Sequence, residues 1–151
     1  FAHVRAQRPA RLVILGEGKG RAQLEALTAA LGIAGDVSLP GFVANPYAYM
    51  ARAAVFVLSS VYEGLPTVLI EALACGCPVV STDCPSGPRE ILQGGRYGRL
   101  VAIGDDRALA RAIIGVLESP PDREPLRRRG AEFSVERGTE RYLELLLHDS
   151  C

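Results

Sequence analysis

The chain has 151 residues, zero formal net charge and 48% hydrophobic residues, the profile of one globular domain large enough to bury a core. The balanced charge excludes a strongly basic nucleic-acid or anionic-membrane binder, and no apolar run has the length of a membrane span or the form of a secretory signal. Beginning at Phe1 in mid-pattern, the sequence is expected to be a piece of a longer protein.

Phe1 to Gln7 has the pattern of a helix end. Arg11-Leu-Val-Ile-Leu15 is a short apolar run closed by Gly16, the signature of a parallel strand. The turn that follows, Gly16-Glu-Gly18-Lys19-Gly20, is out of step with the G-x-G-x-x-G of dinucleotide sites, because Arg21 stands where the third glycine belongs. A helix is predicted over Ala22 to Leu31, with Leu24, Leu27 and Leu31 on one stripe and Gly32 as its stop. Asp36 to Leu39 reads as a second strand leading into Pro40-Gly41-Phe42-Val43. Asn45-Pro46 opens a short helix through Arg52, and Ala54 to Leu58 is a continuous apolar strand.

From Ser59 to Asp83 the sequence reads as loop, apolar helix, tight stop and buried strand. Two acids interrupt it, Glu63 in the loop and Glu71 in the helix, with seven residues between them. Residues Val68 to Ala74 are apolar on nearly every side of Glu71, which predicts a buried helix carrying a buried carboxylate. Such a carboxylate is costly unless something hydrogen-bonds it. Thr67 lies four residues before Glu71, on the same helical face. Pro66 suits a first turn, and Gly64 permits close backbone approach or a positive φ. Free N–H groups at a helix start attract phosphate, and a carboxylate is an acceptor pair suited to a vicinal diol. Phosphate at the helix tip with diols on either side describes a nucleotide-sugar.

Pro78 to Ser81 is a further buried strand, followed by Cys84-Pro-Ser-Gly-Pro88-Arg-Glu90, in which Gly87 or Ser86 caps a helix and Glu90 falls near its start. Tyr97 to Val101 is the last strand. Asp105-Asp106 opens a helix over Ala108 to Leu117, and helix-start acids explain this pair better than a metal motif does. Pro120-Pro121 breaks the chain before two charged amphipathic segments, in which Arg127-Arg-Arg129 reads as a solvated face. Cys75, Cys77, Cys84 and Cys151 include a C-x-C spacing, with His3 and His148 far off in sequence, so reduced thiols are expected and neither a metal site nor a disulfide.

Strands and helices alternate, giving an α/β, doubly wound, Rossmann-like parallel sheet. The run from Glu63 to Leu92, EGLPTVLIEALACGCPVVSTDCPSGPREIL, closely resembles the E-x7-E region of retaining, GT-B-fold glycosyltransferases of the family-4 type. The resemblance covers nearly the whole chain as the C-terminal, donor-binding half of that fold. It implies transfer of a hexosyl group from a nucleoside diphosphate sugar, with no metal or other cofactor required. The acceptor would be a sugar, lipid or polysaccharide. Glu63 would hold the donor sugar, as the catalytic candidate though not as a nucleophile, and Glu71 the ribose. Gly64, Leu65, Pro66 and Thr67 would face the diphosphate. Val43 would meet the nucleobase through its backbone, and Gly16 and Gly18 would lie near the donor.

The family's diphosphate-neutralising Arg and Lys match nothing here, Lys19 being the only lysine, and an N-terminal acceptor domain is expected beyond this chain. The fragment alone is therefore expected to bind donor without turnover. The full-length enzyme would be cytoplasmic or peripheral at the inner face of a membrane. A nucleotide-sugar 2-epimerase and a non-catalytic sugar-nucleotide module are the rival readings. The family pattern also implies that the first, central strand of the domain is absent from this chain. It predicts the strand order Asp36–Leu39, Arg11–Leu15, a gap filled by another chain, Ala54–Leu58, Pro78–Ser81, Arg99–Val101, or else direct pairing that collapses the crevice.

Overall fold

The computed structural model describes residues 1–148. After helix α1 (Ala2–Arg5), a first unit comprises strand β1 (Leu12–Leu15), helix α2 (Arg21–Ala30) and strand β2 (Val37–Gly41). Helix α3 (Tyr47–Arg52) connects it to the second unit, strand β3 (Phe56–Leu58), helix α4 (Thr67–Ala74), strand β4 (Val79–Thr82), helix α5 (Pro88–Ile91) and strand β5 (Arg99–Val101). Helices α6 (Asp106–Glu118), α7 (Arg123–Ala131) and α8 (Val135–His148) complete the described chain.

Every strand pair is parallel. The order is β2-β1 in one ladder and β3-β4-β5 in the other, and no ladder bond joins β1 to β3 among the described residues. Within each ladder this is the expected order, and β1 does not pair directly with β3 among the described residues. β2 extends two residues beyond its predicted end because the Gly41 carbonyl accepts the Gly16 N–H at 2.8 Å. β3 begins two residues later than the apolar run does.

The core lies in the second unit. All four residues of β4 are buried, and helices α4 and α6 both pack against it. Leu69, Ala72 and Leu73 bury the inner face of α4, and α7 packs beside that helix. The α4–α7 approach requires Gly130: a Cβ there would lie 2.4 Å from the Ala74 nitrogen. At the start of α6, Asp105 accepts the Ala108 N–H at 2.7 Å, so the Asp105-Asp106 pair does open a helix.

Two expectations, the solvated basic run and the buried Glu71, need correction. Arg127 and Arg128 are exposed, but Arg129 is buried, so the basic run is only partly a solvated face. Arg129 donates to the carbonyls of Ile91 and Glu90 at 2.9 Å each, pairs with Glu132 at 2.5 Å and lies over the Phe133 ring. The stripe Leu24, Leu27 and Leu31 is helical yet exposed, and no residue of α2 is buried. Glu71 is half-buried, not buried, because its face of α4 opens toward solvent. Cys75, Cys77 and Cys84 are free thiols; Cys151 and the His148 side chain lie outside the described residues.

Candidate functional site

The carboxyl ends of β3 and β4 lie side by side and carry the two loops of the site. Thr82, at the end of β4, donates its hydroxyl to the Ser60 carbonyl at 2.6 Å, fixing the loop that leaves β3. Ser60 in turn donates its hydroxyl to Glu63 Oε1 at 2.6 Å. Glu63 is thus a half-buried carboxylate held by one neighbour, with acceptor capacity left over. Ser60 and Thr82 are not among the site residues that the sequence pattern marks. Their signal, a hydroxyl three residues before an acid and a hydroxyl ending an apolar strand, is weak without the fold.

Beyond Glu63 the loop is open. Gly64, Leu65 and Thr67 are exposed, while Pro66 is buried and flanks α4 at its N-cap. Gly64 does not take a positive φ, and a Cβ there would meet nothing within 4 Å. The Thr67 N–H is bonded to the Leu65 carbonyl at 2.8 Å and that of Leu69 to Pro66 at 2.9 Å. Among the described residues the N–H groups of Gly64, Leu65 and Val68 have no acceptor. The Val68 N–H is an unfilled donor of the helix start, and those of Gly64 and Leu65 are free donors of the loop before its cap. Glu71 stands one turn into the same helix, with no hydrogen bond or ion pair to a described residue. Its negative charge is felt locally: the Cys75 thiol is pushed up first by burial and then by the Glu71 carboxylate.

The second loop closes against the first. Gly87 has φ of +89°, and a Cβ there would lie 2.3 Å from Pro66 Cδ. Only glycine allows both that backbone angle and that contact. Ser86 takes φ of +66° beside it, and Pro88 starts α5 with Glu90 in its first turn, as the sequence pattern anticipates. Asp83 in this loop pairs with Arg89.

Gly16, Gly18 and Val43 form a separate group at the carboxyl ends of β1 and β2. Gly16 has φ of +101°, Gly18 is exposed and Val43 half-buried. The fold thus brings Glu63, Gly64, Leu65, Pro66, Thr67 and Glu71 together, and Gly16, Gly18 and Val43 together. No hydrogen bond joins the two groups among the described residues.

Two ladders of parallel strands, helices against the sheet and loops at the strand ends define a Rossmann-like α/β domain of the GT-B C-terminal type. The chain belongs to the family "Glycosyl transferases group 1", whose model matches residues 1–133. It is 42% identical over 117 residues to a Campylobacter jejuni N-acetylgalactosamine-N,N'-diacetylbacillosaminyl-diphospho-undecaprenol 4-alpha-N-acetylgalactosaminyltransferase, covering 78% of this chain and 32% of that protein. It is 39% identical over 140 residues to the lipopolysaccharide core biosynthesis glycosyltransferase LpsE of Rhizobium meliloti, covering 89% and 41% respectively. Among solved structures, the lipopolysaccharide outer core galactosyltransferase WaaB in its apo form superposes with a TM-score of 0.85 at 23% identity, over 98% of this chain and 44% of that one. Anabaena Alr3699/HepE in complex with UDP superposes with a TM-score of 0.82 at 23% identity, over 97% and 44%. The chain therefore spans about a third to two fifths of the length of these curated relatives.

Proposed function

We propose that this domain binds a nucleoside diphosphate sugar and that the protein containing it transfers the hexosyl group to an acceptor with retained configuration. One observation carries the reading: the open start of α4, with unfilled N–H groups between a carboxylate held by Ser60 and a carboxylate with no described partner. The amides of Gly64, Leu65 and Val68 receive the diphosphate and stabilise the charge that grows on it as the bond to the sugar breaks. Glu63 orients the sugar hydroxyls, and Ser60 keeps it in one rotamer. Glu71 takes the ribose diol, away from the reacting carbon. Val43 faces the base, with Gly16 and Gly18 near the donor. No residue in this arrangement serves as metal ligand or nucleophile.

The relatives' names print N-acetylgalactosaminyl transfer to an undecaprenol-linked glycan and lipopolysaccharide core synthesis. By extension we read the acceptor as a growing glycan on a lipid, and the whole enzyme as cytoplasmic or peripheral at the inner face of a membrane. Among the described residues no helix is long and apolar enough to cross that membrane. Acceptor contacts are assigned to a further domain of the kind that the longer relatives have room for.

The test is titration of the purified chain with UDP, ADP and GDP and with their hexose conjugates. Binding without sugar transfer is expected. Glu71→Gln weakens the bare nucleoside diphosphate by about 1.5–3 kcal/mol, the worth of a charged hydrogen bond. Glu63→Gln leaves the bare nucleotide alone and removes the preference for its sugar conjugate. Equal effects of both substitutions on the bare nucleotide contradict the division of roles.

A further inference from the structure

Arg21, the first residue of α2, reaches out of its helix toward both loops of the first unit. Its guanidinium grips Glu17 with two nitrogens, Nε at 2.9 Å from Oε2 and Nη2 against Oε1. The same Nη2 donates to the Leu39 carbonyl of β2 at 3.1 Å, and Nη1 donates to Glu25 at 3.1 Å. Glu17 lies between Gly16 and Gly18. Its carboxylate also rests against Gly41, where a Cβ would meet Oε1 at 2.6 Å. The Gly16 N–H to Gly41 carbonyl bond closes the circuit. One guanidinium therefore ties the Gly16–Gly18 turn to the strand end that delivers Val43.

We infer that Arg21, through Glu17 and the Leu39 carbonyl, is a positioning residue that sets the turn of Gly41 to Val43 against the Gly16–Gly18 turn, and with it selectivity for the nucleobase. The inference rests on the proposed donor-binding reading. Two physical arguments separate it from a stabilising or a phosphate-binding role. Exposed ion pairs contribute little to stability, and Glu17 and Glu25 are each 55% exposed. A fork bonded on three sides holds geometry instead, and lysine cannot reproduce it. Secondly, two carboxylates against one guanidinium leave a net negative cluster, which does not offer itself to a diphosphate.

The experiment is calorimetric titration of the 151-residue chain with UDP, ADP, GDP and inorganic pyrophosphate, for the wild type, Arg21→Lys and Glu17→Gln. The wild type is expected to discriminate among the three nucleotides. Both variants should compress the ratio of tightest to weakest by roughly tenfold, about one hydrogen bond's worth of misplacement. Pyrophosphate affinity stays within about twofold and thermal midpoints move little, as expected for exposed charges. An unchanged nucleotide ratio in either folded variant overturns the inference. So does a marked gain of pyrophosphate binding in Glu17→Gln, because the guanidinium released from Glu17 would then be acting on phosphate. A wild type that binds pyrophosphate but does not discriminate removes the base contact at Val43 and the inference with it. A wild type that binds none of the four overturns the donor-binding reading itself, an outcome recognisable before any variant is made.

Discussion

The two parallel ladders follow the same strand–helix–strand rule and differ in how deeply they are packed. In the second unit α4 buries Leu69, Ala72 and Leu73 completely, and β4 is buried from end to end. In the first unit α2 buries nothing, and Leu27 and Leu31 are about half exposed, at 53% and 50%. The first unit's strands are only half-buried, and its cross-links are polar and set geometry more than stability: the Arg5–Asp36 pair at 2.7 Å, the Arg21 fork and the Gly16–Gly41 backbone bond. The carboxylates proposed for sugar and ribose thus stand on a packed scaffold. The turns proposed for the base stand on charges, which respond to pH and salt.

The largest expected contrast comes from removing one leucine in each unit. Leu73→Ala should cost about 2–5 kcal/mol in urea unfolding, since it empties a fully buried site. Leu27→Ala should stay within about 0.5 kcal/mol, as exposed positions do. Comparable losses at both positions would break the comparison, by showing that the α2 stripe is covered in solution.

How far this division is visible in sequence depends on how local its causes are. The Glu63–Glu71 spacing, the Gly87-Pro88 helix start and the Asp105 cap are all set within a few residues, and each appears where the pattern places it. Burial is not local. The α2 leucines repeat with helical period whether or not anything packs on them, so the period predicts the helix and not its exposure. Glu71 sits in an apolar helix, yet the missing information was which side of that helix meets the sheet. Arg129 was hidden for the same reason: its carbonyl acceptors, Glu90 and Ile91, are 39 and 38 residues away along the chain.

Arg129 sharpens the comparison next, because a single charged residue here belongs to the packed unit. Arg129→Met removes the donor to two carbonyls and strands Glu132, so a loss of about 2–4 kcal/mol is expected. The same unfolding measurement on Arg21→Lys should show almost no change, although Arg21 makes as many polar contacts. Arg129→Met with wild-type stability would mean that its buried bonds are replaceable by water.

The alkaline limb of stability should belong to the packed unit as well. Cys77 is fully buried, and burial pushes its thiol from an ordinary 9.0 up to about 11. A group raised in the folded state stabilises fully below its unfolded pKa and loses that contribution as pH rises through the folded one. The loss should therefore develop between about pH 9 and pH 11, at up to about 1.4 kcal/mol per pH unit. Cys77→Ala should flatten the stability profile over this window relative to wild type. Parallel profiles for the two proteins would show that the thiol ionises equally well folded and unfolded.

The first unit contributes to the acid limb through Glu17, and the expected effect is the smallest. Hydrogen bonding from Arg21 holds the Glu17 carboxyl below its ordinary value of 4.5. A group depressed in the folded state contributes stability above its unfolded pKa and loses it as pH falls through the folded one. Glu17→Gln removes this contribution at neutral pH, so its thermal midpoint should lie slightly below wild type at pH 7. The difference should shrink as pH drops below about 4.5, where protonation removes the same charge from the wild type. Added salt should shrink it at pH 7 too, because the pair is exposed. Asp106, lowered chiefly by its bond from His3, and Glu136, lowered chiefly by a backbone hydrogen bond, add losses of the same sign that Glu17→Gln leaves in place. A midpoint difference that persists unchanged below pH 4 would mean that Glu17 acts through the packing of its chain against Gly41 and not through charge, and the first unit would then resemble the second.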